Sequence, residues 1–425
     1  MTAAPVAVAR RPRPAARLLR ALDPGLPRPV WLLEAGMLVN SVGTGLLMPF
    51  VIIYLHDARG FSLPVAGLVA GTFGAAGIVA APAAGALIDR IGARPLLTGS
   101  LLLLAGAYAL FPLIARPWQG FALMVLAGIG NGAMWPSQSS MLLAVTPTER
   151  RHAAFAVNRL VTNLGLGVGA VAGGVALAGG DARAFTILFE VNAASFLVFA
   201  AAGLLIPAPA RPERTDRRPG CYRDVLRDRA FVAFILLNTL FVCAGYAQLE
   251  AALPVFAKHQ AGLGEGAIGA VFLANVLTVV VAQLPAVRLI EGRRRMRVLA
   301  LMTCLWAAAW TLVAIAGAWT AAGLSVAVIG LAVVVFGLGE CLHAPVTATV
   351  AADLSPERLR GRYMALSTNS YAIGFAAGPA IAGVILGLSG QALFPLAAIA
   401  CLAAGAAALR LERRLPAAVR VTPSA

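Results

Sequence analysis

Twelve long apolar stretches, separated by short loops that carry arginine, run through almost the whole chain. A bilayer core about 30 Å thick requires about 20 apolar residues in a helix. No water reaches the hydrocarbon, so each backbone amide must be satisfied within its own segment. The stretches occupy residues 30–55, 62–88, 95–115, 119–145, 153–178, 183–206, 230–257, 266–290, 297–317, 322–349, 362–388 and 391–409. The sequence therefore predicts an all-α polytopic membrane protein with twelve transmembrane helices.

The basic residues are distributed unevenly between the two sides of this topology. A net charge of +16 would suggest a nucleic-acid partner in a soluble chain. With a cytoplasmic N-terminus, however, only Arg59, Arg116, Arg183 and Lys258 lie outside, and the other 30 of the 34 Lys and Arg residues lie in or near cytoplasmic segments. This bias predicts a multi-pass protein of the inner (plasma) membrane with both termini cytoplasmic and no nucleic-acid partner. The basic loops can also contact anionic lipid headgroups of the bilayer.

Composition changes divide the chain into five segments. Residues 1–29 are rich in Arg and Pro and lack an apolar core, which predicts a disordered basic tail rather than a cleavable signal peptide. A second charged, proline-containing break at 207–229 predicts a cytoplasmic linker between six-helix halves at 30–206 and 230–409, followed by a cytoplasmic tail at 410–425. The five cysteines are scattered without a CxxC pair and are expected to be free thiols.

The two halves repeat each other at an offset of 209 residues. The fourth stretch reads GIGN at 128–131 and the tenth reads GLGE at 337–340, each followed by a proline. The same offset relates the glycines of the fifth stretch to those of the eleventh. The halves are therefore predicted to be pseudo-symmetric, and a tandem repeat of this kind places a substrate site between them near mid-membrane.

Three motifs resemble the major facilitator superfamily, and specifically its drug:proton antiporter branch. Residues 85–95, GALIDRIGARP, are similar to the superfamily's signature loop G-x-L-x-D-R-x-G-x-R, at the expected place between spans two and three. Residues 165–174, GLGVGAVAGG, resemble the antiporter signature G-x-x-x-G-P-x-x-G-G with Ala170 in place of proline, whereas span eleven keeps Pro379. The resemblance covers residues of about 30–409 and implies a secondary transporter that exports small amphipathic organic molecules in exchange for protons by alternating access. We expect it to act as a monomer and to need no cofactor or metal.

The motifs imply conformational and packing roles for two sets of residues. In the signature loop, Gly85, Asp89, Arg90, Gly92 and Arg94 are expected to control the conformational change. Asp89 would lie near a helix N-terminus of the opposite half, where a carboxylate is favoured by about 0.3–1 kcal/mol; the alternative is ordinary loop charge. The second set recurs every four residues and is predicted to occupy one helix face, where small residues permit close packing or form a pivot or seal: Gly165, Gly169, Gly173, Gly174, Gly374, Gly378, Pro379 and Gly383.

Glu340 is the leading candidate for proton coupling. It lies 13 residues from Asp353, or roughly 20 Å from the cytoplasmic surface at 1.5 Å per residue. A charge at such depth costs about 2.5–3.5 kcal/mol on insertion scales, so an intramembrane acid is a functional candidate. Its repeat mate Asn131 cannot titrate. His343, one turn on and on the same face, and Glu34, about one turn inside span one, are further candidates.

One departure from the antiporter branch affects this assignment. Many of its members carry a buried arginine in span four, but here residues 125–127 read VLA and no arginine lies within the span. Proton coupling through that residue is therefore not available. Either another group carries protons or the transporter is not proton-coupled.

The spans expected to line the cavity are mainly apolar, with a few polar or amphipathic positions. These are Asn40, Asn131, Trp135, Gln138, Asn163, Asn238, Tyr246, Gln248 and Asn275, with Arg159 about two turns inside span five. A mostly apolar cavity with few polar anchors suits amphipathic organic molecules. Glu34 and Arg159 could form a structural ion pair, reach the interface, or act as a gate or recognition point. Glu250 and Lys258 are expected at the outer surface, with little significance.

Other classes of function are less well supported by the residues. An enzyme would need a cluster of nucleophile, base or metal ligands, but the four histidines are far apart in sequence and no HExxH or GxSxG motif is present. A facilitator or symporter of small metabolites, such as sugars or organic acids, remains open. So does a membrane adaptor that transports nothing.

Overall fold

The structure is a computed structural model that describes residues 25–147, 150–179, 182–206, 222–318, 322–356 and 359–422. Twelve long helices account for nearly all of them. We number them α1 Arg28–Ala58, α2 Leu63–Ile91, α3 Ala93–Leu110, α4 Pro117–Val145, α5 Arg151–Leu177, α6 Ala182–Leu205, α7 Arg229–His259, α8 Glu265–Ile290, α9 Arg295–Gly317, α10 Ala322–Leu354, α11 Arg360–Leu388 and α12 Leu393–Glu412. Most of the predicted N-terminal tail and of the linker lies outside the described residues.

Each helix matches one predicted apolar stretch. Eleven of them are long and apolar enough to cross a membrane, and the twelfth, α4, has 29 residues and carries Asn131 and Gln138 among its polar groups. Large apolar side chains cover the outer surface, with Val79 and Val281 exposed by 76% and 73%. A soluble monomer rarely presents so much apolar surface, whereas lipid covers it at no cost. The predicted fold of twelve transmembrane helices is confirmed.

Helix contacts repeat from one half to the other. In the N half, α1 packs on α5 and α6, α4 packs on α2 and α3, and α3 packs on α6. In the C half, α7 packs on α11 and α12, α10 packs on α8 and α9, and α9 packs on α12. Adding six to each helix number converts the first set into the second. The predicted pseudo-symmetry of the two six-helix halves is thus present in the packing.

Both α1 and α7 change their winding near the same end. In α7, residues Val242–Tyr246 and Gln248–Ala252 form widened turns before Pro254. A proline has no N–H to donate, and its ring clashes with the carbonyl four residues earlier, here that of Glu250. Widening the preceding turn relieves that clash. In α1, Tyr54–Ala58 also forms a widened turn, in the last residues of the helix.

We call the side of the molecule that holds the start of α1 and the end of α12 the terminal face, and the other side the distal face. On the terminal face the predicted C-terminal tail is partly ordered. The helix α12 continues to Glu412, and Thr422 pairs with the α8–α9 loop through Thr422 N–H to Arg293 O at 3.0 Å. Part of the predicted linker is likewise helical, at Tyr222–Leu226.

Candidate substrate and proton site between the two halves

Two seams join the halves, and both lie toward the distal face. Where α2 crosses α11, Gly67 lies against the backbone of Gly383, and Gly74 lies against Ala376. Where α5 crosses α8, Gly174 lies against the backbone of Glu265. A Cβ atom at these glycines would meet backbone atoms of the other half at less than 3 Å. Small residues therefore allow the helices to approach closely enough to close the distal side.

The glycines of the predicted packing motif occupy two faces of their helices rather than one. Gly165, Gly169 and Gly173 pack against α1, and Gly374 and Gly378 pack against α7, so these five stabilise single halves. Gly174 and Gly383 pack across the seams instead. Consecutive helical positions such as 173 and 174 differ by about 100°, which is why a single shared face was wrong. The glycines of the motif therefore contribute both to packing within each half and to the seams between the halves.

The departure at Ala170 leaves the seam intact. Gly269 of α8 lies against the carbonyl oxygen of Ala170, and Gly67 of α2 lies in the same way against the carbonyl oxygen of Pro379. Both contacts use a backbone oxygen, which alanine and proline supply equally. Proline is therefore not required for this contact in α5.

A group of charged side chains also joins the halves at the distal face. The Lys258 ammonium lies 2.8 Å from the Asp57 carboxylate and 2.7 Å from that of Glu265, and His259 Nε2 lies 3.2 Å from Asp57. Asp57 ends α1, whereas the other three belong to α7 and α8. We call these four residues the distal ion cluster. The sequence analysis assigned little significance to Lys258, whereas the structure places it between two carboxylates of different halves.

On the terminal face the described polar contacts stay within one half. Arg94 donates to the carbonyl of Leu204 in the N half. In the C half, Arg295 pairs with Asp353 at 2.7 Å and Tyr363 donates to Asp228 at 3.0 Å. Together with the distal seams, these contacts describe two halves that are closed at the distal face and parted at the terminal face.

The signature loop forms the predicted tight turn. Gly92 has φ +93°, a conformation that favours glycine, and it alone separates α2 from α3. A Cβ at Gly85 would meet nothing within 4 Å, and Arg90 is exposed. The side chain of Asp89 lies outside the described part of the structure, so its contact with the opposite half stays a prediction.

Glu340 lies where the seam between α5 and α8 ends. Gly167 of α5 lies against the Val276 side chain, at 3.0 Å from a Cβ placed on the glycine, and the next residue on α8, Asn275, interacts with the Glu340 carboxyl group. The guanidinium of Arg159, eight residues earlier on α5, attracts Glu340 across the gap between halves. Glu340 is partly accessible. An acid of the C half and a base of the N half thus interact electrostatically near the end of this seam.

A second acid contributes to this site. Glu250, in a widened turn of α7, interacts electrostatically with Glu340. The sequence analysis placed Glu250 at the outer surface and gave it little significance, whereas the structure brings it within electrostatic reach of Glu340. Pro254, four residues on, was the available signal that the turn at Glu250 would be irregular.

His343 lies in a closed hydrogen-bond network inside the C half. Ser370 Oγ donates to Ser367 O at 2.6 Å, so it accepts from Asn238 Nδ2 at 2.6 Å. Asn238 Oδ1 must then accept from His343 Nε2 at 3.0 Å. The opposite ring nitrogen, Nδ1, keeps a single lone pair, which lies 3.3 and 3.4 Å from the hydroxyls of Tyr246 and Tyr371 and accepts from one of them at a time. The tautomer follows from the network, and a neutral ring satisfies both ring nitrogens.

The His343 network is packed in aromatic rings. Trp306 stacks on Phe336 with ring centroids 4.7 Å apart, and Tyr246 meets Trp306 edge to face at 5.2 Å. His343 itself is fully buried. Although its number places it one turn from Glu340, the imidazole points into the C half, away from any solvent path among the described residues.

The predicted cavity residues divide between the space among the halves and the interior of each half. Asn40 is buried against α6, where its amide lies 3.5 Å from Ser195 Oγ, so it is a packing residue of the N half. Asn238 is likewise internal, and Gln248 donates to the Cys243 carbonyl at 2.8 Å. Asn275 is buried as well, and its Nδ2 donates to the Val333 carbonyl at 3.3 Å within the C half. The positions that remain accessible are Asn131, Trp135, Arg159, Asn163 and Tyr246. Gln138 shares a face with Asn131 and Trp135 but is buried, and its Nε2 has no partner among the described residues.

Glu34 has a partner in α5, but it is not arginine. The amide of Asn158 donates to both Glu34 carboxylate oxygens, at 3.2 and 3.1 Å. Among the described ion pairs there is none between Glu34 and Arg159. Arg159, the next residue on the helix, is exposed and interacts electrostatically with Glu340. The possible ion pair of the sequence analysis is therefore replaced by a hydrogen bond on the N half and a charge interaction across the gap.

The geometry above is that of a known family. The profile of the Major Facilitator Superfamily matches residues 33–330 and again residues 239–424. The chain belongs to this superfamily, and so it is a multi-pass membrane transporter for small-molecule substrates rather than an enzyme.

Relatives within the superfamily are distant but span most of the chain. The chain is 27% identical over 383 residues to the uncharacterized MFS-type transporter YhjO of Bacillus subtilis, covering 89% of this chain and 91% of that protein. It is 28% identical over 355 residues to the multidrug resistance protein MdtH of Cronobacter sakazakii, covering 83% and 85%. Among solved structures it resembles a POT family transporter in complex with a thioalcohol-conjugated peptide, with TM-score 0.76 and 16% identity over 91% of this chain and 96% of that one. The nucleoside transporter NupG superposes with TM-score 0.73 at 12% identity, over 90% and 100%.

Proposed function

We propose that this chain exports small amphipathic organic molecules in exchange for protons, and that Glu340 carries the proton. The main support is that Arg159 of the N half and Glu340 of the C half interact electrostatically, near the end of the α5–α8 seam. The similarity to MdtH, named as a multidrug resistance protein, supports the substrate class. The mainly apolar sequence of the spans predicted to line the space between halves fits the same class.

The arrangement supplies a sign for the coupling. Arg159 and Glu340 lie on the terminal side of the seams, so their attraction draws the terminal side closed. Protonation of Glu340 removes that attraction and favours the state parted at the terminal face, which is the state of the structure. If the terminal face is cytoplasmic, as the positive-inside bias predicts, a protonated carrier returns to the cytoplasm to collect substrate. That order of events is exchange.

Transport in proteoliposomes tests the proposal. An imposed pH gradient should drive accumulation of a fluorescent amphipathic cation in one direction while protons move in the other, with lumenal pH followed by an enclosed dye. Glu340→Gln should reduce proton-driven transport by at least about tenfold, because a neutral amide keeps the shape of the protonated acid but cannot release a proton. Glu190→Gln is the matched control, since Glu190 is exposed on the peripheral helix α6.

Two outcomes would contradict the proposal. Proton flux unchanged by Glu340→Gln would remove the proton role from Glu340 and direct attention to Glu250. Substrate movement that proceeds equally well without a proton gradient would favour the facilitator.

Spin labels on Phe155→Cys and Leu289→Cys, at the terminal ends of α5 and α8, provide an independent measurement. The distance between them should lengthen on acidification in a cysteine-free background, and Glu340→Gln should remove this dependence on pH.

The orientation has a separate test. We propose that the terminal face is cytoplasmic and that the distal ion cluster faces outward. Single cysteines at Val421 and at Gly179, on opposite faces of the structure, can be labelled in intact cells with a reagent that does not cross membranes. Labelling at Gly179 alone agrees with the orientation, whereas labelling at Val421 alone would reverse it.

A further inference from the structure

We propose that the distal face carries a binding site for a divalent transition metal ion such as Zn²⁺, formed by His56, Asp57 and His259, and that metal bound there holds the distal side closed. Each of the three residues offers a ligand atom, and these atoms all lie within 4.8 Å of one another. Two imidazoles and a carboxylate are a common ligand set for zinc, with a fourth position left for water.

The hydrogen bonding of His56 prepares it for this role. Its Nδ1 lies 2.7 Å from the carbonyl oxygen of Phe61 and must donate to it, since a carbonyl only accepts. The lone pair on Nε2 is therefore free. Metal-binding histidines usually donate their other ring nitrogen to a carbonyl or a carboxylate in this way, which fixes both ring orientation and tautomer. The His56 and His259 rings are 5.5 Å apart, centroid to centroid.

The charges around the site favour a cation on balance, with one competitor. Asp57 and Glu265 are acidic, and Arg59 is turned away to the Tyr54 hydroxyl at 2.5 Å. Lys258 opposes a metal ion because it lies 2.8 Å from Asp57, but it also lies 2.7 Å from Glu265, which can retain it. A metal ion would thus replace Lys258 at Asp57 while Lys258 stays paired with Glu265.

The position of the ligands gives the metal a mechanical effect. His56 and Asp57 belong to the end of α1 in the N half, whereas His259 ends α7 in the C half. The two sets separate when the distal side opens, so the metal binds only the distally closed state. A ligand that binds one of two states shifts the equilibrium toward that state. Metal at the distal face should therefore stop the transport cycle.

Direct binding is the first measurement, and it does not depend on transport. Zn²⁺ binding to the purified full chain can be followed by competition with a chromophoric zinc indicator. His56→Gln and His259→Gln should each weaken binding by at least about tenfold, and Lys258→Met should strengthen it by about threefold or more because a positive charge is removed. His152→Gln, a histidine at the start of α5 on the terminal face, is the matched control and should leave binding unchanged.

The second measurement is inhibition from one side. Zn²⁺ added at the distal face of proteoliposomes should slow transport at least about tenfold relative to each protein's own metal-free rate. His259→Gln should abolish that effect, and Mg²⁺ should not reproduce it, since it prefers oxygen ligands. Equal zinc affinity in wild type, His56→Gln and His259→Gln would overturn the site, and metal-bound protein that transports at full rate would overturn the closed-state effect. Because binding is measured directly, the metal site can fail while proton exchange holds, and the reverse.

Discussion

The N half and the C half share one contact scheme but differ in what fills it. At the place where the C half has Glu340, the N half has Asn131, and 209 residues before His343 the N half has Met134. Met134 is buried in apolar surroundings, whereas His343 joins Asn238 and two tyrosines in a hydrogen-bonded network. The scaffold is therefore symmetric while the chemistry is not. Packing and the seams need both halves equally, but the proposed proton site needs the C half and a single arginine from the N half.

The largest effect is expected where the halves are equivalent. Gly174→Val and Gly383→Val should each reduce transport by at least about tenfold. A Cβ at either position meets a carbonyl oxygen of the opposite half, that of Glu265 or that of Leu63, so the distal side could not close. Initial rates in proteoliposomes, normalised to the amount of inserted protein, measure the loss.

Gly330→Val is the control, because a Cβ at this membrane-helix glycine meets nothing within 4 Å. It should transport at close to the wild-type rate. Residues 174 and 383 occupy equivalent positions in the two halves. Unequal losses of transport rate in the two variants would therefore contradict the equivalence of the two seams. They would show that one seam carries the conformational change and the other does not.

At the terminal face, the two halves can be compared through an acidic residue near the end of α2 and another after α8. Asp89 lies in the last turn of α2, and Glu291 directly follows α8 in the C half. We expect Asp89→Asn to lower turnover about fivefold to tenfold while substrate affinity stays nearly constant. This corresponds to losing about 1–1.4 kcal/mol from one state, within the limit of about 2 kcal/mol for a partly buried carboxylate at a helix N-terminus. Glu291→Gln should change turnover by less than about twofold, because its loop is already held by the C-terminal segment. Rates across a range of substrate concentrations separate turnover from affinity, and a tenfold fall in affinity at constant turnover would contradict the conformational role.

The sequence was sufficient for the architecture because a membrane imposes simple rules. Long apolar helices, loop charge and an offset of 209 residues predict twelve helices in two similar halves, and the structure agrees. Glycine spacing predicted close packing but not that Gly173 and Gly174 would serve different partners, since one residue of rotation separates a face of the N half from the seam. The rotation of α1 about its axis also determines where Asn40 lies, since its side chain contacts Ser195 within the N half rather than the space between the halves.

The site was harder to predict because it depends on distances between helices remote in sequence. Arg159 and Glu340 belong to different halves, and no spacing rule relates them. The position of the Glu250 side chain depends on the irregular turn of α7 that Pro254 produces. The distal ion cluster requires the ends of α1 and α7 to meet, which only a distally closed arrangement provides. The predicted depth of Glu340 in the membrane was enough to identify it as a candidate. The residues that interact with it could be identified only from the packing of the helices.

The smallest effect on transport is expected at His343, the deepest chemical difference between the halves. His343→Met gives the C half the residue that the N half carries at the matching position. It should lower the free energy of unfolding by about 1–3 kcal/mol, because the buried Asn238 oxygen and the tyrosine hydroxyls lose a partner. Proton-driven transport should remain within about twofold of wild type, measured per folded protein. Asn238→Leu with His343→Met removes His343 together with its closest hydrogen-bond partner and should cost less than the sum of the single changes, in thermal unfolding followed in detergent. A His343→Met variant that folds with wild-type stability yet loses proton coupling would contradict this assignment. The proton would then pass through His343, and the hydrogen-bond network would belong to the transport pathway rather than to the framework of the C half.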